Sequence, residues 1–304
     1  MAIPSAQLEI WANPGAAATA QATYESIRQA IEVAGTSIVK GHSIDLFLQG
    51  SYRNATNIRG DSDVDVVVVL KETYTRDTSR LTQPQQQAEA RGYQPATYQW
   101  WEFRRDVIAS LVAYYGVQYV EVGNKSIKIK GQPGRLPADV VPAIDHWVYT
   151  SYGLTLLTQA TNYVEGIAFW DLAGNKIVNF PKQHIENGQF KNGLFRANGN
   201  YKPTVRMFKN AREYLIDKRR LAEGVAPSYF VECLLYNVPD TMFGTNKQES
   251  MRAILQWLWT TNKNAFVCQN GQVTLFGDSS VQWQVQRADE YLAALVRMWG
   301  DWPI

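Results

Sequence analysis

Two aspartates, Asp63 and Asp65, lie two positions apart at the start of a run of β-branched residues that ends at Leu70. This composition predicts a buried strand over 63–70, and because side chains alternate across a strand, both carboxylates belong to one face. Like charges this close repel each other, and their burial costs free energy unless a partner compensates them. The pair therefore indicates a bound cation. Carboxylate oxygens suit Mg²⁺, with Mn²⁺ as the alternative, and such ions commonly also bind the phosphates of a substrate.

A third carboxylate, Asp139, lies in another apolar strand, predicted over 135–144. Three carboxylates can hold two divalent ions about 3.5–4 Å apart, which is the arrangement that stabilises the attacking and the leaving oxygen in phosphoryl transfer. Asp61 falls in a loop and Asp145 at a strand end, so neither is chosen as a ligand. The candidates for metal binding and catalysis are Asp63, Asp65 and Asp139.

Gly50 and Ser51 follow a predicted strand over 44–49, and Ser51 stands twelve residues before Asp63. Glycine lets the backbone approach a phosphate closely, and a serine hydroxyl can donate a hydrogen bond to a phosphate oxygen. Two aspartates alone are explained equally well by a solvated edge strand. The added glycine and serine make a phosphate site the more specific interpretation.

The elements that must position these residues are an α/β lobe followed by a helical lobe, with a cleft between them. We predict domains of 1–181 and 182–304, with the amino-terminal helix spanning both lobes. Residues 52–62 and 71–97 are predicted as loops, and Pro14 breaks the amino-terminal helix. Periodicity predicts further strands over 117–122, 126–130, 166–170 and 176–180, and helices over 98–115, 203–220, 227–236, 248–259 and 281–299.

The composition narrows the function classes. A net charge of +2 over 304 residues does not favour a long basic groove, so no stable DNA or RNA binding is expected. Cys233 and Cys268 lack the spacing of a zinc site or a disulfide framework. There is no signal-peptide pattern, and the longest apolar run, 64–70, is too short to cross a bilayer, so we expect a cytoplasmic protein without membrane contact. Three isolated histidines are predicted to be structural: His42, His146 and His184.

A charged face is predicted on the helix over 203–220. Lys202, Arg206, Lys209 and Glu213 recur at helical spacing. Such a face is most often a solvated stripe, and the alternative is that its cations bind phosphate.

Several segments resemble the bacterial cGAS/DncV-like nucleotidyltransferases, of the DNA polymerase β superfamily. Residues 49–66 resemble the glycine-serine and alternating hydrophobic–aspartate motif of this family, and 138–142 resemble its third-carboxylate strand. Residues 175–184, 201–210 and 227–233 resemble clade E, whose members make cyclic dinucleotides. The resemblance thus covers most of the chain.

The resemblance implies an α/β polymerase β-like lobe with a mixed twisted sheet, packed against a helical carboxy-terminal lobe. It also implies a cytosolic Mg²⁺-dependent enzyme of the CBASS anti-phage system, which joins two NTPs through a linear intermediate and then closes the ring. The product would activate a separate effector protein. The chain lacks a zinc ribbon like that of animal cGAS, and Ala55 stands where glycine is expected, which puts the flexibility of that loop in doubt.

The resemblance further implies a set of nucleotide contacts. Lys209 would reach the triphosphate, and the ring of Tyr229 would stack on a base, although Tyr229 could also simply pack in its helix. Asn179 would favour pyrimidines, because its amide matches uracil O4 and N3–H, whereas purine-selective relatives tend to carry serine. The alternative is that Asn179 merely ends a strand. UTP and ATP are therefore the expected substrates, giving cyclic UMP-AMP or cyclic di-UMP. The implied nucleotide-binding residues are Gln49, Gly50, Ser51, Asn179, Lys209, Ser228 and Tyr229.

Two other functions remain open from the sequence. The first is an NTP transferase acting on RNA or another hydroxyl acceptor, since the metal site is shared across the superfamily. The second is a nucleotide-binding regulatory module, which would be expected to have lost an acidic ligand, whereas all three carboxylates are present here.

Overall fold

A computed structural model describes residues 2–15, 18–58, 63–153, 160–279 and 281–303. Within this part of the chain no helix is long and apolar enough to cross a membrane. The strands are β1 (Ile44–Leu48), β2 (Val64–Asp77), β3 (Val120–Val122), β4 (Ile127–Ile129), β5 (Ala138–Ser151), β6 (Asn162–Trp170) and β7 (Lys176–Asn179). The α-helices are α1 (Ser5–Ala12), α2 (Ala18–Arg28), α3 (Gly50–Asn54), α4 (Gln83–Gly92), α5 (Trp100–Tyr115), α6 (Pro181–Asn192), α7 (Tyr201–Asp217), α8 (Ser228–Tyr236), α9 (Lys247–Thr260) and α10 (Val285–Gly300).

The strands form one mixed sheet, which confirms the predicted fold class. Its order is β1-β2-β5-β4-β3, and β6 also pairs with β5 and carries β7 beyond it. β2 and β5 are parallel, while the other neighbours are antiparallel. β5 is long enough to use different partners along its length, since Val140 pairs with β4 and Ile144 pairs with β6. The two long parallel strands, β2 and β5, therefore form the centre of the sheet.

The chain divides into two compact units. The sheet unit comprises Ala18–Gln49 and Ser62–Lys182, and the helical unit comprises Met1–Ala17, Gly50–Asp61 and Gln183–Ile304. One face of the sheet buries an apolar cluster around Val67, Ala143 and Phe169. The helical unit has its own larger core. Its buried side chains include Leu8, Tyr201, Val205, Phe208, Phe230, Leu234, Ile254 and Leu292.

The domain prediction gives 1–181 to the first lobe, with the amino-terminal helix spanning both lobes, and in the structure Met1–Ala17 and Gly50–Asp61 group with the helical unit. The contacts explain why. The side chains of Asn210 and Arg206 on α7 donate to the carbonyls of Trp11 and Ala12, at 2.9 and 2.5 Å. Long-range hydrogen bonds of this kind do not follow from local sequence pattern.

The prediction of loops over 52–62 and 71–97 was wrong in three places. α3 occupies Gly50–Asn54, β2 continues to Asp77, and α4 occupies Gln83–Gly92. α4 is polar and mostly exposed, so it has no clear apolar periodicity, but Thr82 and Gln85 form a capping box at its start. α6 was not predicted either. Residues 59–62 of the first loop, with Asp61, lie outside the described residues.

Candidate active site

The sheet brings the three predicted carboxylates onto adjoining strands. Asp65 on β2 and Asp139 on β5 are direct partners across the parallel pair, and Asp63 immediately precedes β2. On its other side Asp139 pairs with Lys128 of β4. The Oγ of Ser126 donates to Asp139 Oδ1 at 3.1 Å. A parallel register therefore places two carboxylates side by side, although they are far apart in sequence.

The electrostatics of Asp139 show that its negative charge is not fully compensated in the structure. Burial raises the pKa of its carboxyl above the ordinary value, and the negative charge of Asp63 raises it further. The hydrogen bond from Ser126 and the charge of Lys128 oppose this shift without cancelling it. A cation beside these groups would favour the ionised form of each, because opposite charges attract.

The donor set fits a hard divalent cation. All three side chains offer carboxylate oxygens, which Mg²⁺ and Mn²⁺ prefer over nitrogen and sulfur ligands. Among the described residues, however, no group of three His, Cys, Asp or Glu side chains is clustered closely enough to hold a metal ion as the structure stands. The fit therefore rests on the paired register and the raised pKa of Asp139.

The glycine-serine segment begins where β1 ends. Gln49 donates its backbone N–H to the Asp65 carbonyl at 2.9 Å, which ties the end of β1 to the carboxylate strand. Gly50 has φ +68°, a left-handed conformation that favours glycine. The side-chain Oε1 of Gln49 is buried without a hydrogen-bond partner among the described residues. A buried orphan acceptor at this position is consistent with the predicted role of Gln49 in binding a ligand.

The loop after Ser51 is held in place by hydrogen bonds within the helical unit. The Thr56 N–H donates to the Ser51 carbonyl at 2.9 Å, so Thr56 folds back on Ser51. Ala55 adopts φ +53°, where a residue with a Cβ costs about 1–2 kcal/mol relative to right-handed backbone. This is the position at which the family resemblance leads one to expect glycine. Arg206 donates to the Ala55 carbonyl, which holds this unfavourable conformation in place.

The charged face of α7 is not a solvated stripe. Arg206 is buried, and burial lowers the pKa of its guanidinium to about 10. Lys209 is completely buried, at 0% exposure. The ammonium of Lys209 lies 3.0 Å from Glu232 Oε1 and donates to the Thr56 carbonyl at 3.1 Å. The predicted contact of Lys209 with phosphate stays a prediction, and in this structure its charge is neutralised by Glu232.

Glu232 on α8 is the centre of a polar cluster inside the helical unit. Its carboxylate accepts hydrogen bonds from Thr56 Oγ1 at 2.7 Å, His184 Nε2 at 2.9 Å and Asn54 Nδ2 at 3.4 Å, besides its ion pair with Lys209. Burial alone would raise the pKa of this carboxyl. Lys209 and the hydrogen bonds from His184 and Thr56 outweigh burial and hold the pKa well below its ordinary value.

Ser228 and Tyr229 begin α8, and the stacking of Tyr229 on a base stays a prediction. The ring of Tyr229 stacks on His184, with centroids 5.0 Å apart and planes at 27°, and its hydroxyl accepts from Asn270 Nδ2 at 3.1 Å. Tyr229 remains 37% exposed, and its ring also lies beside that of Trp283, with centroids 5.8 Å apart and planes at 31°. Ser228 Oγ accepts from Arg212 at 3.3 Å.

Asn179 ends β7, where it pairs with Ile167 of β6. Gly166 on β6 makes this position possible, since a Cβ there would lie 2.8 Å from the Asn179 carbonyl oxygen and 2.9 Å from the Phe180 ring. Glycine thus lets β7 approach β6 closely enough to place Asn179 on the apolar face that β2 and β5 share.

The sequence analysis did not predict the polar cluster of Glu232, His184 and Thr56. A signal for Glu232 existed, because it is the one acid in an otherwise apolar run over 230–235, and a charge there must find a partner. His184 was predicted to be structural, and its contact with both Tyr229 and Glu232 depends on tertiary packing.

Comparison with known proteins identifies the two domains of the chain. Residues 36–116 match the nucleotidyltransferase domain, and residues 186–300 match the cGAS/DncV-like nucleotidyltransferase C-terminal helical domain. The chain is 41% identical over 303 residues to the cyclic UMP-AMP synthase of Rhodothermus marinus, with 99% of each chain covered. It is 39% identical over 307 residues to the cyclic nucleotide synthase CdnE01 of Staphylococcus haemolyticus, covering 99% of this chain and 100% of that one.

A solved structure shows the same fold. The structure of the R. marinus CdnE c-UMP-AMP synthase with Apcpp and Upnpp matches with a TM-score of 0.86 at 40% identity, covering 99% of this chain and 98% of that chain. The mixed sheet, the paired carboxylates and these matches define a nucleotidyltransferase. More narrowly, the chain belongs to the cGAS/DncV-like nucleotidyltransferases.

Proposed function

We propose that this nucleotidyltransferase is a cyclic dinucleotide synthase that joins two NTPs, one of them UTP. The observation that supports this most is the full-length similarity to a cyclic UMP-AMP synthase, at 41% identity over 99% of both chains. The geometry agrees, because Asp65 and Asp139 are register partners and the backbone of Gln49 binds that of Asp65.

In this proposal Asp63, Asp65 and Asp139 hold Mg²⁺. Bound Mg²⁺ would neutralise charge on the phosphates and favour loss of the proton from the attacking hydroxyl. Asp63 and Asp65 would share both ions, whereas Asp139 would bind the ion nearest the acceptor. The hydrogen bond from Ser126 fixes the Asp139 carboxylate, and the Ser51 hydroxyl would donate to the donor's phosphates.

The reaction consists of two similar transfers. A ribose hydroxyl of the acceptor NTP attacks the α-phosphorus of the donor, a P–O bond forms, and the bond to the β-phosphate breaks with release of pyrophosphate. The linear intermediate keeps the acceptor's triphosphate. Its free ribose hydroxyl then attacks the remaining α-phosphorus, which closes the ring and releases a second pyrophosphate.

The choice of UTP rests on Asn179. Its amide can donate and accept a hydrogen bond, as uracil O4 and N3–H require, and Gly166 allows β7 to hold it in place. One such bond is worth about 0.5–1.5 kcal/mol, so the preference should be severalfold to tenfold. The product would act in the cytosol on a separate effector in anti-phage defence.

The test is incubation of the purified protein with labelled NTPs and Mg²⁺, followed by phosphatase digestion. A phosphatase-resistant product that depends on UTP supports the proposal, and chelation by EDTA should abolish it. Asn179→Ser should shift incorporation from an equal NTP mixture toward purines. Only purine products from the unchanged protein would overturn the assignment of UTP.

The same assay tests the two alternatives. Extension of added RNA without a cyclic product would favour a hydroxyl-directed transferase. Binding of NTPs without any product under all metal conditions would favour a regulatory nucleotide-binding module.

A further inference from the structure

We propose that Glu232 is a positioning residue for nucleotide binding, which sets the conformation of the segment that carries Ser51. This inference rests on the proposed function, because it assumes that Ser51 contacts phosphate. Glu232 would act through Thr56, Lys209 and His184, without touching the substrate.

The contacts of Glu232 reach three separate parts of the helical unit. Thr56 and Asn54 belong to the segment after Ser51, His184 lies on α6, and Lys209 lies on α7. A carboxylate in its ionised form accepts all of these bonds at once, and an amide of the same shape cannot, since half of its polar atoms are donors.

Thr56 connects Glu232 to Ser51. The Thr56 side chain is held by Glu232 at 2.7 Å, and its backbone N–H donates to the Ser51 carbonyl at 2.9 Å. Lys209 holds the same residue from its other side by donating to the Thr56 carbonyl. The loop conformation includes the unfavourable φ of Ala55, so it needs such support to persist.

The bond to His184 leads to the predicted base platform. His184 donates from Nε2 to Glu232 while its ring stacks on Tyr229. One carboxylate thus connects the segment proposed to bind phosphate with the ring proposed to bind a base. If the connection matters for binding, weakening Glu232 should raise the KM for NTPs more than it lowers kcat.

The experiment compares two carboxylate-to-amide variants. Glu232→Gln removes the charge of the cluster, and Glu89→Gln is the matched control, since Glu89 is equally buried and pairs with Arg76 in the sheet unit. We expect Glu232→Gln to raise the KM for NTPs by about tenfold and Glu89→Gln to leave it within about twofold. An equal effect of both variants on KM would reduce Glu232 to a stabilising residue and overturn the proposal.

A second pair of variants keeps the test decisive if Glu232→Gln does not fold. Thr56→Val removes the hydroxyl that bonds Glu232, and Thr56→Ser keeps it. Thr56→Val should raise KM by about tenfold and Thr56→Ser should stay close to the unchanged protein. Where all variants fold, the effects of Glu232→Gln and Thr56→Val on KM should be less than additive in the double variant, because Thr56 acts through Glu232 in this proposal. Additive losses, or an unaffected Thr56→Val, would contradict the proposal.

Direct binding separates this inference from the proposed function. The Kd of a non-hydrolysable UTP analogue with Mg²⁺, measured by calorimetry, should rise in Glu232→Gln in parallel with KM. If the unchanged protein binds the analogue but makes no cyclic product, the proposed function fails while the role of Glu232 is still measured. A Kd that is the same in Glu232→Gln and the unchanged protein would contradict the positioning role of Glu232 and leave the proposed function unaffected.

Discussion

Asp139 in the sheet unit and Glu232 in the helical unit are both partly or fully buried carboxylates, yet their pKa values shift in opposite directions. Burial and the charge of Asp63 raise the pKa of Asp139, whereas Lys209 and several hydrogen bonds lower the pKa of Glu232 despite its deeper burial. The direction of the pKa shift is therefore decided by the number and the charge of the groups around the carboxylate, and not by burial.

The difference separates two uses of an acidic side chain. A carboxylate beside another carboxylate has a charge that the protein does not fully compensate, so it can still bind a cation. This suits a residue that acts on a ligand. A carboxylate surrounded by a cation and several donors has its charge compensated within the protein, which suits a residue that holds other groups in place. The same chemical change at the two positions should consequently have different results.

The largest expected effect is on turnover. Asp63→Asn or Asp139→Asn should lower product formation by at least about a thousandfold, because loss of a metal ligand removes several kcal/mol of transition-state stabilisation. The fold should be retained, since the change relieves the repulsion between the charges of Asp63 and Asp139. Rates come from product assays and stability from urea unfolding. Near-normal turnover in either variant would remove the metal site from this strand pair.

At Glu232 the main expected effect is on stability. Glu232→Gln should lower the free energy of unfolding by about 3–5 kcal/mol, because it leaves the buried Lys209 without its counter-charge. The pKa of Glu232 is lowered in the folded protein, so its contribution is present above the ordinary carboxyl pKa of 4.5 and is lost as the pH falls below it. The difference in the free energy of unfolding between the unchanged protein and Glu232→Gln should therefore shrink as the pH falls below 4.5. A constant difference from pH 7 to pH 3 would contradict the compensated charge.

A smaller effect is expected at Ser51, which belongs to the segment that Glu232 supports. A hydrogen bond to a charged phosphate is worth about 1.5–3 kcal/mol, so Ser51→Ala should reduce NTP affinity or rate by roughly ten- to a hundredfold. Its stability should change little, because the described contact of Ser51 with Thr56 uses the Ser51 backbone carbonyl. Unchanged affinity and rate would show that the phosphates bind elsewhere.

The smallest effect concerns the uncompensated acceptor of Gln49. A buried polar atom without a partner costs about 1–3 kcal/mol, so Gln49→Leu should leave the free energy of unfolding unchanged or raise it by about 1 kcal/mol. The same change should weaken NTP binding severalfold if Gln49 contacts the nucleotide. Isothermal titration with a non-hydrolysable NTP checks the affinity. A loss of stability with intact affinity would make Gln49 a structural residue.

Much of the sheet could be predicted from local pattern. The β-branched run after Asp63 predicted β2, and the hairpin of β6 and β7 follows from two alternating segments around a turn. Polar elements were the ones missed. α4 is mostly exposed and α3 is only a single turn, so neither has the apolar periodicity on which such predictions depend.

The sequence by itself determined the chemistry that the site can offer. The spacing of Asp63 and Asp65 placed both on one face, and residue type alone made their oxygens suitable for a hard cation. The resemblance of the surrounding segments then indicated the family, which the full-length comparisons confirmed.

Only the tertiary structure decided which charges are compensated. The register of β2 with β5 made Asp65 and Asp139 neighbours although 73 residues separate them along the chain, as the register partners show. The packing of α7 against α8 buried Lys209 against Glu232, where periodicity had suggested a solvated stripe. Both outcomes depend on contacts between distant segments, and the free energy of a charge depends on those contacts more than on its own residue type.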